Sequence, residues 1–182
     1  MKDISHASII IPDKLAAFVY KQDKGMDILH KILSEWRNVE YVYNFYEKNS
    51  RIIEAGPISP YGYSFDDFSE DIMLDLEQLE DFIKFLKNEN VELDKSFAPL
   101  SETEEQIKIL SLRKRRCKWL RIYAIRIDEN LYAITGGAIK ITKTMQEHKD
   151  TRNELAQLKY SRDWLKDQGI ETDESFYLYF DL

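Results

Sequence analysis

The segment "LYAITGGAIKITKT", residues Leu131 to Thr144, decides the fold. It begins as a strand, breaks at two adjacent glycines and then alternates apolar with cationic or hydroxyl residues. Residues 119–127 before it are also strand-like, and only the short turn "DEN" separates the two segments. Two strands joined by so short a turn must be antiparallel. The pattern therefore predicts a β-hairpin in this part of the chain.

The glycine pair needs its own explanation, because Gly136 and Gly137 would weaken a regular strand. Such glycines indicate a bulge, a bend or the close approach of another backbone. A bend would let Lys140 project at the end of the sheet, where a phosphate could sit. A packing role for the glycines is the alternative.

Composition indicates one globular domain. The chain has 182 residues, 43% hydrophobic and 13% aromatic, which is enough to bury a real core. Its apolar runs are too short to cross a bilayer and residues 1–14 do not resemble a signal peptide, so we expect a cytoplasmic protein with no membrane partner. The lone Cys117 excludes an internal disulfide and fits a reducing compartment. The three histidines lack metal-ligand spacing, so no metal or other cofactor is expected.

Charge is distributed unevenly along the chain, although the net charge is −7. Residues 1–107 carry 11 basic and 22 acidic side chains, whereas residues 108–182 carry 15 and 11. Local potential steers association with charged partners more than the total charge does. The C-terminal part therefore either binds a polyanion or is neutralised by the acidic N-terminal part.

The remaining segments predict helices packed on the sheet. Residues 14–21 are β-leaning, and residues 26–38 and 39–49 carry amphipathic helical stripes, the second of which would also suit a strand. Prolines and glycines predict a loop over residues 55–63, and a further loop is expected over residues 93–106. The C-terminal part predicts a helix between a Thr151–Glu154 capping box and Gly169, followed by an edge strand over residues 176–182.

The longest predicted helix spans residues 65–89 and has a strongly acidic outer face. Eight carboxylates lie between Asp66 and Asp81, with no basic residue among them. This face is either solvated, or a partner surface, or an intramolecular cover for the basic segment. The chain as a whole is predicted to be α+β, with a small antiparallel sheet packed against N-terminal and C-terminal helices. Within one domain of residues 1–182, residues 55–111 form an insertion, and residues 112–170 form the basic hairpin and its helix.

Cationic and aromatic side chains are interleaved before and within the hairpin. Guanidinium groups bind phosphates and aromatic faces stack on unpaired bases, so this mixture suits single-stranded RNA better than duplex. A solvated basic face, or a docking site for an acidic helix, is the alternative. The candidate RNA-binding residues are Arg113, Arg115, Arg116, Lys118, Trp119 and Lys143.

Residues 108–170 resemble the C-terminal half of the RelE/HigB-type toxins of bacterial toxin–antitoxin systems, especially the phage-derived Gp49-like branch. In that branch an LRxxxxR strand hairpins into a strand ending in glycine, followed by a lysine–threonine motif, a loop and a helix. The counterparts here are Leu120, Arg121, Arg126, Gly137, Lys140, Thr142, Lys143 and Thr144. Residues 14–21 and the helices after them correspond to the family's first strand and two helices by order alone. The chain departs from the family in its length, its acidity, the insertion and the single lysine at 140.

The resemblance implies an endoribonuclease that cleaves mRNA, usually on the ribosome, without a metal. The 2′-hydroxyl attacks the adjacent phosphate, leaving a cyclic phosphate and a free 5′-hydroxyl. The implied catalytic residues are Arg121, Arg126 and Lys140 for charge, with Tyr123 and His148 for base stacking or proton transfer. The implied partners are RNA and a helix-turn-helix antitoxin. A non-catalytic nucleic-acid- or protein-binding module on the same fold is the alternative hypothesis.

Overall fold

The computed structural model describes residues 1–56, 62–88, 93, 98–99, 107–110, 117–129 and 131–182. Within these residues, six strands form one sheet in the order β1-β2-β6-β5-β4-β3. The strands are β1 (Ile4–Ile11), β2 (Leu15–Tyr20), β3 (Ala98–Pro99), β4 (Ile107–Leu110), β5 (Leu120–Arg126) and β6 (Tyr132–Ile139). The predicted hairpin is confirmed as β5 and β6, and the α+β class is confirmed with it.

The sheet is mixed and not purely antiparallel as predicted. β2 runs parallel to β6, with Ala17 opposite Ile134, while the other neighbouring pairs are antiparallel. A parallel pair needs a long crossover connection, and the helices between β2 and β6 provide it. β1 was not predicted as a strand. It pairs with β2 through a tight turn in which Asp13 takes a positive φ of 56°.

Five helices pack on this sheet within the described residues: α1 (Ile28–Arg37), α2 (Val39–Glu54), α3 (Phe65–Asn88), α4 (Lys149–Asp167) and α5 (Asp173–Phe180). Residues 39–49, for which the sequence left helix and strand open, are helical. In α3 the apolar side chains that recur every three or four residues, from Phe68 to Leu86, are buried. The two predicted loops consist mainly of residues 57–61 and 94–106. Most of these residues lie outside the described part of the chain.

Two local predictions at the C-terminal end are wrong. Residues 173–180 form a helix instead of an edge strand, because Thr172 caps it with a full capping box and Phe176 and Phe180 bury their rings. The N-cap of α4 is His148, whose side chain accepts from the Asp150 backbone N–H. Thr151 instead lies inside the first turn and donates to the Met145 carbonyl. Gly169 ends α4 as predicted, with a φ of 71°.

The glycine pair marks both a bulge and a close approach. The pairing of β5 with β6 shifts register between Tyr123 and Ala124, next to Gly136. A side chain at 136 would collide with the Glu154 carboxylate of α4. A Cβ at 137 would lie 2.7 Å from Ile32 Cδ1 and 2.8 Å from the Arg121 carbonyl oxygen. The glycines therefore let α1 and α4 pack closely against β6.

Candidate functional site

Two of the predicted catalytic cations lie at the same end of the β5–β6 pair. Arg121 is opposite Ala138 in the ladder, and the Lys140 backbone N–H donates to the Trp119 carbonyl at 2.8 Å. Both side chains are half-buried. Burial lowers the pKa of Lys140, and the neighbouring Arg121 charge lowers it further. The hairpin thus holds two like charges close together.

The Arg121 guanidinium is held by backbone carbonyls. Its Nη1 donates to the carbonyl oxygens of Leu120 at 2.7 Å and Cys117 at 3.1 Å. Among the described residues, neither Arg121 nor Lys140 forms a salt bridge with a carboxylate. The charges of Asp75 and Glu147 act on Arg121 and Lys140 respectively without forming an ion pair with them. Two half-buried cations with no carboxylate in direct contact, within the described part of the chain, leave room for a bound anion.

The acidic helix α3 docks on the start of β5. The buried Asp75 carboxylate accepts hydrogen bonds from three successive backbone N–H groups, those of Lys118, Trp119 and Leu120, at 2.8, 2.6 and 2.9 Å. Burial raises the pKa of Asp75 even though these hydrogen bonds oppose the shift. Asp75 is one of the eight carboxylates counted on the outer face of the predicted helix, and its burial was not predicted from the sequence.

Lys118 is occupied by the same helix. Its ammonium lies 2.7 Å from Asp71 Oδ2 and 3.0 Å from the Tyr63 hydroxyl, and 4.3 Å from the Tyr63 ring centroid. Burial opposes the charged form, but the hydrogen bonds that Lys118 donates to Asp71 and Tyr63 raise its pKa overall. Lys118, a predicted RNA contact, is therefore already paired within the protein. This agrees with the interpretation that the acidic helix covers the basic segment intramolecularly.

Two aromatic candidates are core residues. The Trp119 ring is fully buried against Phe68, and its Nε1–H donates to Asp71. Tyr123 is also fully buried, and burial raises its pKa. Its hydroxyl has no hydrogen-bond partner among the described residues. Neither ring is accessible to a nucleobase, so the predicted stacking by Trp119 and Tyr123 does not fit this structure.

The other candidates do not join Arg121 and Lys140. Arg126 lies at the opposite end of β5 and donates to the carbonyls of Asp128 and Glu129 in the turn. His148 is held at the start of α4, where Nε2 donates to Asn49 Oδ1 at 2.9 Å because Nδ1 accepts from Asp150 N–H. Lys143 is exposed in the loop after β6. Arg113, Arg115 and Arg116 lie outside the described residues.

The lone cysteine is structural. Cys117 is buried, and burial together with the nearby Asp75 charge raises the pKa of its thiol to about 12. A thiol with such a pKa is protonated at neutral pH and is a poor nucleophile.

One ionisable residue that the sequence analysis did not single out is Glu154. It lies on α4 against Gly136, and burial raises its pKa to about 7, with the Glu35 and Asp150 charges adding to the shift. The glycine pair was the available signal, since a close approach was predicted there. The sequence could not identify which side chain makes that approach.

Comparison with protein-family models, with curated proteins and with solved structures found no match for this chain. In the described part of the chain, no helix is both long and apolar enough to span a bilayer. The fold and the site geometry together define an α+β protein with a half-buried cation pair at one end of its central hairpin.

Proposed function

We propose that this protein is an endoribonuclease that cleaves mRNA, the toxin of a type II toxin–antitoxin pair, and that Arg121 and Lys140 hold the scissile phosphate. The observation that carries the proposal is the pair itself. Two half-buried cations lie together without a carboxylate partner among the described residues, and a phosphate would supply the missing charge. A protein acting on mRNA would work in the cytoplasm.

The reaction needs a proton acceptor, and it needs positively charged groups that stabilise the negatively charged phosphorane. The 2′-hydroxyl oxygen attacks the neighbouring phosphorus, its proton passes to a base, and the 5′-oxygen leaves and takes a proton from solvent. Lys140 fits the base, because its lowered pKa increases the fraction of neutral amine. Once it has taken the 2′-hydroxyl proton, it is the second cation beside the phosphate. Arg121 stabilises the developing negative charge on the phosphate oxygens. This assignment leaves Arg126, Tyr123 and His148 outside the reacting centre.

The order of elements supports the same proposal. The resemblance implies a strand, two helices, a hairpin and a helix, and the chain has β2, α1, α2, the β5–β6 hairpin and α4 in that order. The helix-turn-helix antitoxin stays part of the proposal. It would cover the Arg121–Lys140 end of the hairpin and silence the enzyme.

A cleavage assay on purified protein tests the proposal. Wild type is expected to cut single-stranded RNA and leave a 2′,3′-cyclic phosphate, and a single 2′-deoxy nucleotide at the cut position should stop cleavage there. Arg121→Ala and Lys140→Ala should each abolish cleavage, while Lys159→Ala, which removes an exposed cation from α4, should not. Cleavage that survives in both site variants would contradict the proposal.

A second candidate is a non-catalytic binding module. The observation that favours it is the docking of α3, whose Asp71 and Asp75 already occupy Lys118 and the start of β5. This candidate predicts RNA or protein binding without cleavage. The same assay separates the two, because a folded wild type that binds RNA and leaves it intact would support the module.

A further inference from the structure

The outer face of α3 exposes three large apolar side chains. Met73, Leu74 and Phe85 are 43%, 47% and 49% exposed. Eleven residues make about three turns of a helix, so Leu74 and Phe85 point in nearly the same direction, about 16 Å apart along the axis. Apolar side chains scattered singly over a surface are normal, whereas a set aligned on one helix face is typical of a surface that binds another protein.

Carboxylates surround these apolar side chains on the same face. Asp66, Glu70, Glu77 and Asp81 are all exposed there, at helical spacings that place them beside Leu74 and Phe85. Among the described residues of α3, the cation on this face is Lys84, which pairs with Asp81 at 3.2 Å. Four carboxylates against one lysine leave a net charge of −3 on the face.

The opposite side of α3 is fixed to the rest of the protein. Its apolar stripe is buried, and Asp75 accepts hydrogen bonds from three backbone N–H groups at the start of β5. Asp71 also pairs with Lys118. The helix therefore cannot rotate to bury Leu74 or Phe85 in the core. A face that is held rigid in this way binds without a large ordering cost.

The charge of the face decides which partner fits it. RNA phosphates and anionic lipid headgroups are repelled by carboxylates. A second copy that met this face by two-fold symmetry would bring the same carboxylates against each other. An amphipathic helix with leucines along one stripe and lysines or arginines beside them matches both features. Its leucines would pack on Leu74 and Phe85, and its cations would lie next to the carboxylates.

We propose that the outer face of α3 is a docking surface for a basic amphipathic helix of a protein partner. The partner helix spans at least about three turns, because it has to contact both Leu74 and Phe85. This surface is on the side of α3 that faces away from β5, so the interaction is separate from the Arg121–Lys140 site. It goes beyond the proposed function and does not depend on RNA cleavage.

Binding of a synthetic peptide to the purified full chain tests the proposal. The probe is a fluorescein-labelled amphipathic helix of about 18 leucine and lysine residues, and its control is a scrambled peptide of the same composition whose leucines do not share one face. Fluorescence anisotropy measures both affinities. We expect the amphipathic peptide to bind at least about tenfold more tightly than the scrambled one, because only the former aligns its leucines with the apolar side chains of α3.

Variants of exposed side chains locate the binding surface, and circular dichroism checks that each one is folded. Leu74→Ser/Phe85→Ser should lower the affinity at least about tenfold, since both apolar anchors are lost. Glu70→Gln/Glu77→Gln should lower it by about threefold and weaken its salt dependence. The matched control is Leu178→Ser on α5, where the side chain is 82% exposed, and its affinity should stay within about twofold of wild type.

The proposal is overturned if the amphipathic peptide does not bind, or if it binds no more tightly than the scrambled peptide. Wild-type affinity in the Leu74→Ser/Phe85→Ser variant, or an equal loss in Leu178→Ser, would place the binding elsewhere and overturn it as well. A leucine and glutamate peptide that binds as tightly as the lysine peptide would reject the basic partner. RNA cleavage enters none of these outcomes, so the result is independent of the endoribonuclease.

Discussion

The carboxylate of Glu154 lies against the backbone of Gly136, at a point where any side chain on residue 136 would collide with it. This contact explains why residue 136 is a glycine. Residue 137 is a glycine because Ile32 of α1 and the Arg121 carbonyl lie within 3 Å of where its Cβ would be. The pair therefore lets α1 and α4 both approach β6 closely.

Gly137→Ala is expected to destabilise the protein by about 1–3 kcal/mol, because the added Cβ would lie 2.8 Å from the Arg121 carbonyl oxygen, which is backbone and cannot turn away. Chemical denaturation measures the change. The matched comparison is Gly136→Ala, which should cost less, because the atoms it meets are the far end of the flexible Glu154 side chain. Equal costs for the two variants would contradict the close packing of residue 137 against the β5 backbone.

Asp75→Ala is expected to cost at least about 1–3 kcal/mol of stability, because three backbone N–H groups at the start of β5 lose their acceptor. Glu77→Ala, two residues along α3 and exposed, is the control and should change the free energy of unfolding by less than about 0.5 kcal/mol. Similar values for both variants would mean that α3 does not anchor β5 through Asp75.

Stability should depend on pH through Glu154. Its pKa is raised in the folded state to about 7 from 4.5, so the folded protein holds a proton that the unfolded chain has released. Stability is therefore expected to fall as pH rises from about 4.5 to 7, by up to roughly 3 kcal/mol, and to level off above. The groups facing Glu154 are Lys2, Lys31, Glu35 and Asp150.

Glu154→Gln is the variant that isolates this dependence. In this variant the free energy of unfolding should decrease less between pH 4.5 and 7 than in wild type. The variant should also be more stable than wild type at pH 7. Denaturation curves at several pH values measure both effects. An unchanged pH profile in the variant would assign the dependence to other groups.

Cleavage should also depend on pH through Lys140. If its amine accepts the 2′-hydroxyl proton, the rate rises with pH until Lys140 is deprotonated and then becomes constant. Lys140→Arg keeps the charge and removes the proton acceptor, so it should bind RNA and cleave it far more slowly. A Lys140→Arg enzyme with the wild-type rate would show that Lys140 acts only as a charge.

The strongly periodic parts of the fold were predictable from the sequence. The hairpin, the stripe of α3 and the stop of α4 at Gly169 follow from local patterns that the structure obeys. The parallel β2–β6 pair was not predictable, because pairing between distant segments leaves no local pattern. β1 was not predicted as a strand, although it forms a local hairpin with β2. The edge strand predicted over residues 176–182 is wrong, because aromatic side chains favour a strand locally whereas packing against α4 and β2 stabilises a helix.

The candidate site was predictable only in part. Arg121 and Lys140 were both candidates from the sequence, and the register of the predicted hairpin brings them to the same end of β5 and β6. Trp119 and Tyr123 were not recognised as core residues, since an aromatic side chain on a strand looks the same whether it faces a helix or solvent. Asp75 and Glu154 are carboxylates whose pKa values burial raises, and burial of a carboxylate cannot be read from its neighbours in sequence.

The measurement that tests the central claim most directly is growth of a bacterial host after induced expression, with mRNA integrity followed. Wild type is compared with the Arg121→Ala/Lys140→Ala double variant and with Lys159→Ala, all at matched soluble levels. The account predicts growth arrest and cleaved transcripts for wild type and Lys159→Ala, and normal growth with intact transcripts for the double variant. Normal growth with abundant, folded wild type would contradict it.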